Sequence, residues 1–426
     1  MADGDVLVVG NGGREHALVW KLKQSPFVKS ISVASGNAGT EKIAKNIAIS
    51  PNDIYALLSF AQHKKIDLTI VGPENPLSKG IVDLFRLHGL NIFGPTRGAA
   101  KIESSKVFAK KLMIEEGIAT APFRIFYSYQ EALDHVRMRH LPLVVKADGL
   151  TNGKGVYICK NIDQAEIVLT NLMVERIYGR AGDVVIVEDF LEGQEISIHV
   201  LCDGNAMVIF PPSQDHKQLN NGGEGPNTGG MGAYCPSLFV TETMMFHVKH
   251  EIIRPILRGL RRYGTPFTGC LYPGLILTNK GIQVLEFNAR FGDPENQVYM
   301  RLLNTDLFVL LKSCVNKQMQ GVPVSGSKEY AVCIALCSKE YPLAINNPVP
   351  ITGINEAERI SDQIVVFHGA TKSINGQLYT NGGRVLYITV VSPKLNQARE
   401  LALQAAQIIK FHGKHLRTDI AKSITS

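Results

Sequence analysis

Short apolar runs alternate with helical patterns through the first hundred residues, and this alternation constrains the fold more than any other feature. The apolar runs are DVLVVG (5–10), SISVAS (30–35), IDLTIVG (66–72) and NIFGP (91–95). Strands that alternate with helices in this way form a parallel, doubly wound sheet, and ligands bind such sheets at the carboxyl ends of the strands. The sequence therefore predicts an N-terminal α/β domain over residues 1–102.

Two further units follow this domain. From residue 103 to about residue 327, apolar runs rich in β-branched residues alternate with helical segments, which indicates a mixed α+β domain. A smaller α+β unit covers residues 328–426. We therefore expect a multidomain chain of α/β and α+β class, with a central domain and a small C-terminal domain.

Three local patterns in the central domain lead to specific predictions. Residues 104–116 have helical spacing, with Ser104 as the capping residue. Residues 297–319 also have helical spacing. Residues 211–235 are rich in Gly, Asn and Pro, so we expect a long loop there, and such loops inside compact domains are usually functional or disordered.

The composition and the cysteine pattern argue against several classes of protein. Charged residues make up 19% of the 426 residues, close to the globular average, so disorder is not expected. Lys+Arg exceed Asp+Glu by 45 − 38 = 7, and no basic run is interleaved with aromatic residues, so we expect no nucleic-acid partner. No apolar stretch reaches about 20 residues and the N-terminus lacks a signal-peptide pattern. Seven scattered cysteines argue against a disulfide framework. We expect a cytoplasmic monomer or weak dimer with no membrane partner.

The turn GNGGREHA (10–17) directly follows a strand and opens a helix. Backbone N–H groups at such a glycine turn favour an anion, usually phosphate. A dinucleotide-binding turn needs G-x-G-x-x-G, and here Gly10 and Gly12 fit but Glu15 stands at the third glycine position. The turn therefore favours phosphate binding over a nicotinamide-dependent oxidoreductase.

Two segments of the central domain carry a nucleotide-binding pattern. In VVKADGLTNGKGVYI (144–158), Lys146 ends an apolar strand, and a loop with three glycines and Lys154 follows. Glycines let a backbone close over phosphates, and lysines neutralise them. In IVEDFLEGQEIS (186–197), Phe190 and Leu191 can form an apolar slot for a purine, with Glu195 as a carboxylate for the ribose.

The segment VLEFNARFGDPENQ (284–297) carries a candidate metal site. Glu286 and Asn288 are two apart on a strand, so both side chains face the same side. Two oxygen ligands on one face suit Mg²⁺, which takes its other ligands from water and phosphates. Arg290 lies two residues further and can clamp a carboxylate or a phosphate.

The ordered set of motifs resembles the glycinamide ribonucleotide synthetase family of ATP-grasp enzymes, and the resemblance extends over nearly the whole chain. The motifs, in order, are GNGGREHA, DLTIVGPENPL (67–77), IFGPT (92–96), ESSKVFAK (103–110), KADGLTNGKGV (146–156), EDFLEGQEIS (188–197), SQDHK (213–217), GPNTGGMGAY (225–234), EFNARFGDPE (286–295) and TNGGRVL (380–386). The resemblance implies an ATP-grasp central domain over 103–327, with a mobile lid at about 122–190.

The resemblance also implies a reaction. ATP phosphorylates the carboxylate of glycine, and the amine of 5-phosphoribosylamine attacks the glycyl phosphate to give glycinamide ribonucleotide, ADP and phosphate. The implied partners are these small molecules, with Mg²⁺ or Mn²⁺ as cofactor. No protein nucleophile is required, and catalysis consists of charge neutralisation and positioning.

Roles follow from the resemblance position by position. The residues implied to bind ATP are Lys106, Lys146, Gly153, Lys154, Gly155, Glu188, Asp189, Phe190, Leu191 and Glu195. The implied metal ligands are Glu286 and Asn288. The residues implied to bind the other substrates are Gly10, Asn11, Gly12, Gly13, Glu74, Asp215, Lys217, Arg290, Gly292 and Asp293. Those implied to act in catalysis are Lys146, Asp215, Arg290 and Asp293.

The chain departs from the family pattern at three places, and other functions stay open. Many ATP-grasp enzymes carry a carboxylate shortly before the E-x-N pair, but LYPGLIL (271–277) has none. The C-terminal motifs read KEYPLAI (339–345) and FHGAT (367–371), which leaves closure of the site in doubt. The alternatives are an ATP-grasp ligase with a different amine acceptor and a non-catalytic nucleotide-binding protein.

Overall fold

A parallel sheet organises the N-terminal part of the chain. In the computed structural model, which describes residues 4–151, 153–343 and 347–422, five strands pair in the order β3-β2-β1-β4-β5. All of these pairings are parallel, which confirms the doubly wound sheet. The strands are β1 (Gly4–Gly10), β2 (Val28–Ser35), β3 (Lys45–Ile47), β4 (Leu68–Val71) and β5 (Ile92–Phe93). The helices between them are α1 (Gly13–Leu22), α2 (Thr40–Ile43), α3 (Ile54–Lys64), α4 (Glu74–Ser78) and α5 (Ile81–Leu87).

The central strand β1 is apolar throughout because both faces of the sheet are covered. Successive side chains of a strand point to opposite faces. Val6 and Val8 belong to the apolar cluster that contains residues of α1, whereas Leu7 and Val9 belong to the cluster that contains residues of α3 and α5. The continuous apolar run is therefore the expected pattern of a strand that is buried on both sides.

The predicted lid segment forms a separate antiparallel sheet with two helices. Its strands, in the order β6-β9-β7-β8, are β6 (Phe123–Phe126), β7 (Leu143–Ala147), β8 (Val156–Cys159) and β9 (Val185–Asp189). Its helices are α8 (Tyr129–Arg137) and α9 (Ile162–Leu169), which a π-helical turn (Thr170–Val174) continues. Ser128 and Asn161 cap these helices. The segment has its own apolar core.

A second antiparallel sheet lies beneath the lid. Its strands are β10 (Gln194–Ser197), β11 (Val200–Asp203), β12 (Met207–Ile209), β17 (Thr268–Thr278) and β18 (Gly281–Asn288). The helices of this part are α6 (Arg97–Ser104), α7 (Lys106–Glu115), α10 (Glu242–His247), α11 (Arg254–Arg262), α12 (Glu295–Leu302) and α13 (Leu307–Val315). Gly274, in the stretch LYPGLIL that lacks a carboxylate, lies opposite Glu286 in the pairing of β17 with β18.

Two predicted helices have different bounds in the structure. The helix predicted over 104–116 begins at Lys106, and its cap is Ser105, whose hydroxyl accepts a hydrogen bond from the Phe108 amide at 3.1 Å, so Ser104 was wrong as the cap. The helix predicted over 297–319 is two helices, because Asp306 caps a new one after a break at 303–306.

The third sheet joins the predicted loop 211–235 to the C-terminal part of the chain. Its order is β13-β16-β19-β23-β20, with β13 (Gln214–Asp215), β16 (Gly232–Cys235), β19 (Tyr330–Cys337), β20 (Ile364–His368) and β23 (Arg384–Ser392). This part of the chain also contains two separate hairpins, β14 (Gln218–Asn220) with β15 (Glu224–Asn227) and β21 (Thr371–Ile374) with β22 (Gln377–Thr380). Its helices are α14 (Ile354–Glu358) and α15 (Leu395–Ile408). The prediction of a structureless loop at 211–235 was therefore wrong.

All seven cysteines are buried and none forms a disulfide.

Among the residues that the structure describes, no helix combines the length and the apolar character that a membrane crossing requires. Asn152 of the 149–155 loop and residues 344–345 of the KEYPLAI motif lie outside the described residues.

Candidate active site

One cavity of about 380 Å³ lies where the lid, the sheet beneath it and the N- and C-terminal parts of the chain meet. A concave site of this size suits a small-molecule ligand. The predicted site residues that line it are Glu74, Lys106, Lys146, Gly153, Glu188, Asp189, Phe190, Leu191, Glu195, Asp215, Lys217, Glu286, Asn288, Arg290 and Asp293. The structure thus brings together side chains that are more than 200 residues apart in the sequence.

The Glu286 carboxylate is held in its ionised form. Burial alone would raise its pKa, but Lys217, Lys106, Lys146 and Arg290 outweigh burial and lower the pKa below its usual value. The neighbouring Asn288 accepts a hydrogen bond from Nη2 of Arg290 through its Oδ1 atom at 3.2 Å. The end of β18 therefore presents a carboxylate and an amide oxygen, both of the type that hard divalent cations bind.

Two lysines share the buried Glu188 carboxylate. Nζ of Lys146 lies 2.8 Å from Oε2, and Nζ of Lys110 lies 3.0 Å from Oε1. Lys146 also donates to the Leu285 carbonyl at 3.1 Å, and Lys110 donates to the Thr120 hydroxyl at 2.6 Å. Burial lowers the pKa of Lys110 to about 8, although Glu188 opposes the shift. The trio therefore ties α7 to the lid strands and leaves a net positive charge in the cavity wall.

The base of the lid is tied to α7 by a second carboxylate. Oδ1 of Asp148, just after β7, accepts hydrogen bonds from the Val107 amide at 2.7 Å and the Ser105 hydroxyl at 3.0 Å. Nζ of Lys106 donates to the Gly149 carbonyl at 3.4 Å. These bonds keep the first turn of α7, and with it Lys106, against the glycine-rich loop.

Arg290 lies between two carboxylates in the cavity wall, next to Asn288. Its Nε lies 3.3 Å from Oε2 of Glu74, and its Nη2 lies 2.9 Å from Oε1 of Glu103. Burial raises the pKa of Glu103 to about 7, although Arg290 opposes the shift. Burial acts on Glu74 in the same sense, but Arg290 and Arg14 outweigh it and lower that pKa. The guanidinium is thus fixed and only partly neutralised.

Asp215 carries an unsatisfied buried oxygen. Its Oδ1 atom has no hydrogen-bond partner among the described residues. Burial, together with the charge of Glu295, raises the pKa of Asp215 well above its usual value. Glu295 itself accepts hydrogen bonds from the hydroxyls of Tyr272 and Ser197. A cationic ligand group at this point would stabilise the ionised form of Asp215.

The glycine turn before α1 is already closed by a side chain of its own helix. The Gly12 amide donates to Oε2 of Glu15 at 2.7 Å, and Nε of Arg14 donates to Oε1 at 2.7 Å. A Cβ atom at Gly10 would lie 2.5 Å from the Glu15 side chain, and one at Gly72 would lie 1.9 Å from it. These glycines are therefore required by the close approach of the Glu15 carboxylate, which takes the anion position at the helix N-terminus.

Several predicted residues lie outside the cavity wall. They are Gly10, Asn11, Gly12, Gly13, Lys154, Gly155 and Gly292. Lys154 is exposed on the lid loop, and the Gly292 amide donates to Nε2 of His199 at 2.8 Å. The cavity wall also contains charged or polar residues to which sequence reasoning gave no role, among them Arg14, Glu103, Lys110, Tyr272, Glu295 and Arg384. Most of these lie inside the recognised motifs, so the motifs marked the right segments without marking each side chain.

Comparison with protein families assigns most of the chain. Residues 4–103 match the N domain of phosphoribosylglycinamide synthetase, residues 104–296 match its ATP-grasp (A) domain, and residues 331–423 match its C domain. The chain belongs to the phosphoribosylglycinamide synthetase family. The family and the ATP-grasp fold implied by the motifs are thereby confirmed.

Individual members of the family are similar over nearly the full chain. The phosphoribosylamine–glycine ligase of Caldanaerobacter subterraneus subsp. tengcongensis is 42% identical over 98% of this chain and 99% of its own. The human trifunctional purine biosynthetic protein adenosine-3 is 44% identical over 97% of this chain, which spans 41% of that longer protein. The crystal structure of phosphoribosylamine–glycine ligase from Thermotoga maritima superposes with a TM-score of 0.81 at 30% identity, covering 98% of this chain and 100% of the other.

Proposed function

We propose that this chain joins glycine to 5-phosphoribosylamine with the cleavage of ATP to ADP and phosphate, and that glycyl phosphate is the intermediate. The observation that carries the proposal is one cavity lined by two chemically different sets of side chains. Lys106, Lys146 and the Glu286–Asn288 pair suit phosphates and a divalent cation, and Asp215 and Arg290 suit the ammonium and the carboxylate of an amino acid. The hydrogen bond of 3.2 Å from Arg290 to Asn288 joins the two sets, so a phosphoryl donor and an amino acid can meet in this site.

A divalent cation fits the end of β18. Glu286 is ionised and Asn288 offers its amide oxygen, and we assign both as ligands of Mg²⁺ or Mn²⁺. The described residues contain no cluster of three or more His, Cys, Asp or Glu side chains suited to a metal, so nucleotide oxygens and water would complete the coordination. When bound, the cation supplies neutralisation of phosphate charge.

The adenosine end of the nucleotide is assigned to the lid hinge. Phe190 and Leu191 supply an apolar slot next to the backbone that follows β9. Glu195 is assigned to the ribose, and its Oε2 atom lies 3.2 Å from Nζ of Lys217. Lys154, on the exposed loop, is assigned to the phosphates and would reach them only if the lid closes.

The substrates other than ATP are assigned to the cavity wall around Asp215, Arg290 and Glu74. Asp215 faces the α-ammonium of glycine, because a buried carboxyl with an unsatisfied oxygen gains most from a cationic partner. Arg290 and Asp293 lie near the reacting carboxylate and amine. We place the phosphoribosyl group beside the Gly10–Gly13 turn and Glu74. The Gly12 amide already donates to Glu15, so we assign the phosphate of the phosphoribosyl group to the vicinity of Arg14 rather than to that amide.

Catalysis in this proposal is positioning and electrostatic stabilisation. Lys146 is fixed by Glu188 and by the Leu285 carbonyl, so its charge needs little reorganisation when phosphate charge develops. Closure of the segment 122–190 would exclude water from the acyl phosphate. We further propose that the domain boundaries lie at 102/103 and 327/328. We also propose that the protein is cytoplasmic and is a monomer or weak dimer without nucleic-acid or membrane partners.

One assay tests the proposed reaction. The protein is mixed with ATP, Mg²⁺, glycine and freshly made 5-phosphoribosylamine, and ADP and the amide product are measured. We expect sustained ADP release only when both glycine and the amine are present. Equal ADP release without glycine would contradict the proposal. Turnover with a different amine would favour another ATP-grasp ligase, and nucleotide binding without metal-dependent turnover would favour a binding protein.

A further inference from the structure

The hairpin β14–β15 connects two parts of the cavity wall, but its tip has little support of its own. Lys217 precedes the hairpin and Asn227 ends it, and both line the cavity. At the tip, Gly222 and Gly223 adopt left-handed backbone conformations, and a Cβ atom at either would meet nothing within 4 Å. An isolated two-stranded hairpin is only marginally stable in water. Something else must therefore hold this one in place.

Residues 415–419, near the C-terminal end of the described chain, grip the hairpin at its tip. The Asn221 side chain donates to the Thr418 hydroxyl at 2.8 Å and accepts from the Thr418 amide at 2.9 Å. The Gly222 amide donates to Oδ2 of Asp419 at 2.8 Å. The tip is thus bonded through both a side chain and the backbone to a segment nearly 200 residues away.

Arg417 extends the grip to the base of the hairpin. Its guanidinium donates two hydrogen bonds to the Asp419 carboxylate, each of 2.8 Å, and a third to the Gln218 carbonyl at 3.1 Å. The side chain is only 4% exposed, so this planar, two-pronged pairing is largely shielded from water. His415 adds a contact of 3.0 Å from its Nε2 atom to the Leu219 carbonyl. The carbonyl groups of Gln218 and Leu219, the first two residues of β14, are therefore both hydrogen-bonded to residues 415–419.

The Asp419 carboxylate keeps its charge over the whole physiological range. Burial alone would raise its pKa, but the hydrogen bonds from Arg417 and from the Gly222 amide lower the pKa to about 2. The grip therefore does not weaken at neutral or mildly acidic pH.

The held strand leads directly into the cavity. Gln218 follows Lys217, whose carbonyl accepts hydrogen bonds from the amide and the hydroxyl of Thr228, at 2.8 and 2.7 Å. Nζ of Lys217 lies 3.2 Å from Oε2 of Glu195, and both side chains line the cavity. A shift of β14 would therefore move a cation that is paired with the proposed ribose contact.

We infer that residues 415–419 form a clamp on the β14–β15 hairpin, and that Arg417 and Asp419 are positioning residues for Lys217 and for the cavity wall at Asn227–Gly229. Neither residue lines the cavity, so both act through the hairpin. Through the clamp, the C-terminal part of the chain also shapes the site indirectly, in addition to Arg384, which lines the cavity, and to its strands in the shared sheet.

Amide hydrogen exchange tests the clamp without reference to any activity. Two variants break it from opposite sides: Asp419→Ala removes the acceptor for Gly222 and the partner of Arg417, and Asn221→Ala removes the paired side-chain bonds at the exposed tip. Glu356→Gln, which neutralises an exposed carboxylate on α14, is the matched control. We expect exchange in residues 218–227 to accelerate at least about tenfold in both variants and to stay unchanged in the control.

Steady-state kinetics then separate positioning from a merely structural role, and this arm alone rests on the proposed function. We expect KM for at least one substrate to rise severalfold in Asn221→Ala at an unchanged Tm, with Asp419→Glu restoring part of the loss seen in Asp419→Ala. Unchanged exchange in 218–227 in both variants would overturn the clamp. Exchange that accelerates across the whole chain together with a lower Tm, or lower turnover at unchanged KM, would show general destabilisation and would overturn the positioning role.

Discussion

The shared carboxylate of Glu188 leads to a prediction about stability. Its side chain is 2% exposed, and its two oxygens lie 2.8 and 3.0 Å from the ammonium groups of Lys146 and Lys110. Glu188→Gln keeps the shape of the side chain but leaves two buried cations close together without their counter-charge. Lys110→Met removes one cation and leaves Glu188 and Lys146 as a balanced pair. The two substitutions therefore have very different electrostatic consequences at the same place.

The magnitudes follow from this difference. Removing one partner of a buried ion pair costs about 3–5 kcal/mol, so we expect the free energy of unfolding to fall by about that amount in Glu188→Gln. For a folding unit of about 200 residues, such a loss predicts a Tm lower by about 6–20 °C. Burial already lowers the pKa of Lys110 to about 8, which shows that its ammonium is held at a cost. We therefore expect Lys110→Met to lose only about 1 kcal/mol.

Thermal unfolding at pH 7 of the wild type, both single variants and the double variant measures these differences. The double variant retains a single cation, so we expect it to be more stable than Glu188→Gln alone, which is a coupling that independent sites would not show. A Glu188→Gln variant that melts within about 2 °C of the wild type would refute the reasoning. So would a double variant no more stable than Glu188→Gln.

Three further predictions concern the proposed chemistry and a buried histidine of α1. Lys146→Met should lower turnover at saturating ATP by at least about two orders of magnitude, because it removes one preorganised charge; wild-type turnover would make Lys146 a structural residue. Exchange of the 149–155 loop amides should slow when a non-hydrolysable ATP analogue and Mg²⁺ are added, and unchanged exchange at saturation would argue against a lid. Burial lowers the pKa of His16 to about 3, so the unfolded state binds a proton first as the pH falls from about 6.5. Stability should therefore decline below pH 6.5 by up to about 1.4 kcal/mol per pH unit from this group, and the decline should be shallower in His16→Gln when denaturant unfolding is followed from pH 6 to 4.

The parts of the fold that the sequence predicted are those that local periodicity determines. The apolar run of β1 is buried on both faces, and the two-residue spacing of Glu286 and Asn288 puts both side chains in the cavity wall. The cap was placed one residue early because Ser104 and Ser105 are adjacent and both can cap a helix; the structure selects Ser105, whose hydroxyl accepts from the Phe108 amide. Ser105 also donates to Asp148, 43 residues away, and helical spacing cannot reveal that contact.

The parts that were missed depend on contacts between distant segments. β16 pairs with β19, which lies almost 100 residues later in the sequence. The segment around β16 is polar and rich in glycine, so the sequence predicted a loop there. Glu103 acquires its perturbed pKa from burial beside Arg290, and nothing in the sequence around it marks that contact. The hydrogen bond from the Gly12 amide to Glu15 could have been predicted from the sequence, because an acid three residues after the capping position is a known capping pattern. The glycine turn was instead interpreted as a binding site for the phosphate of a ligand.

The burial of every cysteine makes distance measurements on this protein straightforward. Thiol-reactive dyes attack accessible thiolates, and burial raises the pKa of Cys159 to about 11 and of Cys337 to about 12, so the natural thiols should stay unlabelled in the folded chain. Two introduced thiols would then be the only reporters. Ile167→Cys on α9 and Tyr55→Cys on α3 replace side chains that are 60% and 70% exposed, one on the lid segment and one on the N-terminal domain. Energy transfer between dyes at these positions would follow the separation of the two parts in solution, with no natural cysteine to remove first.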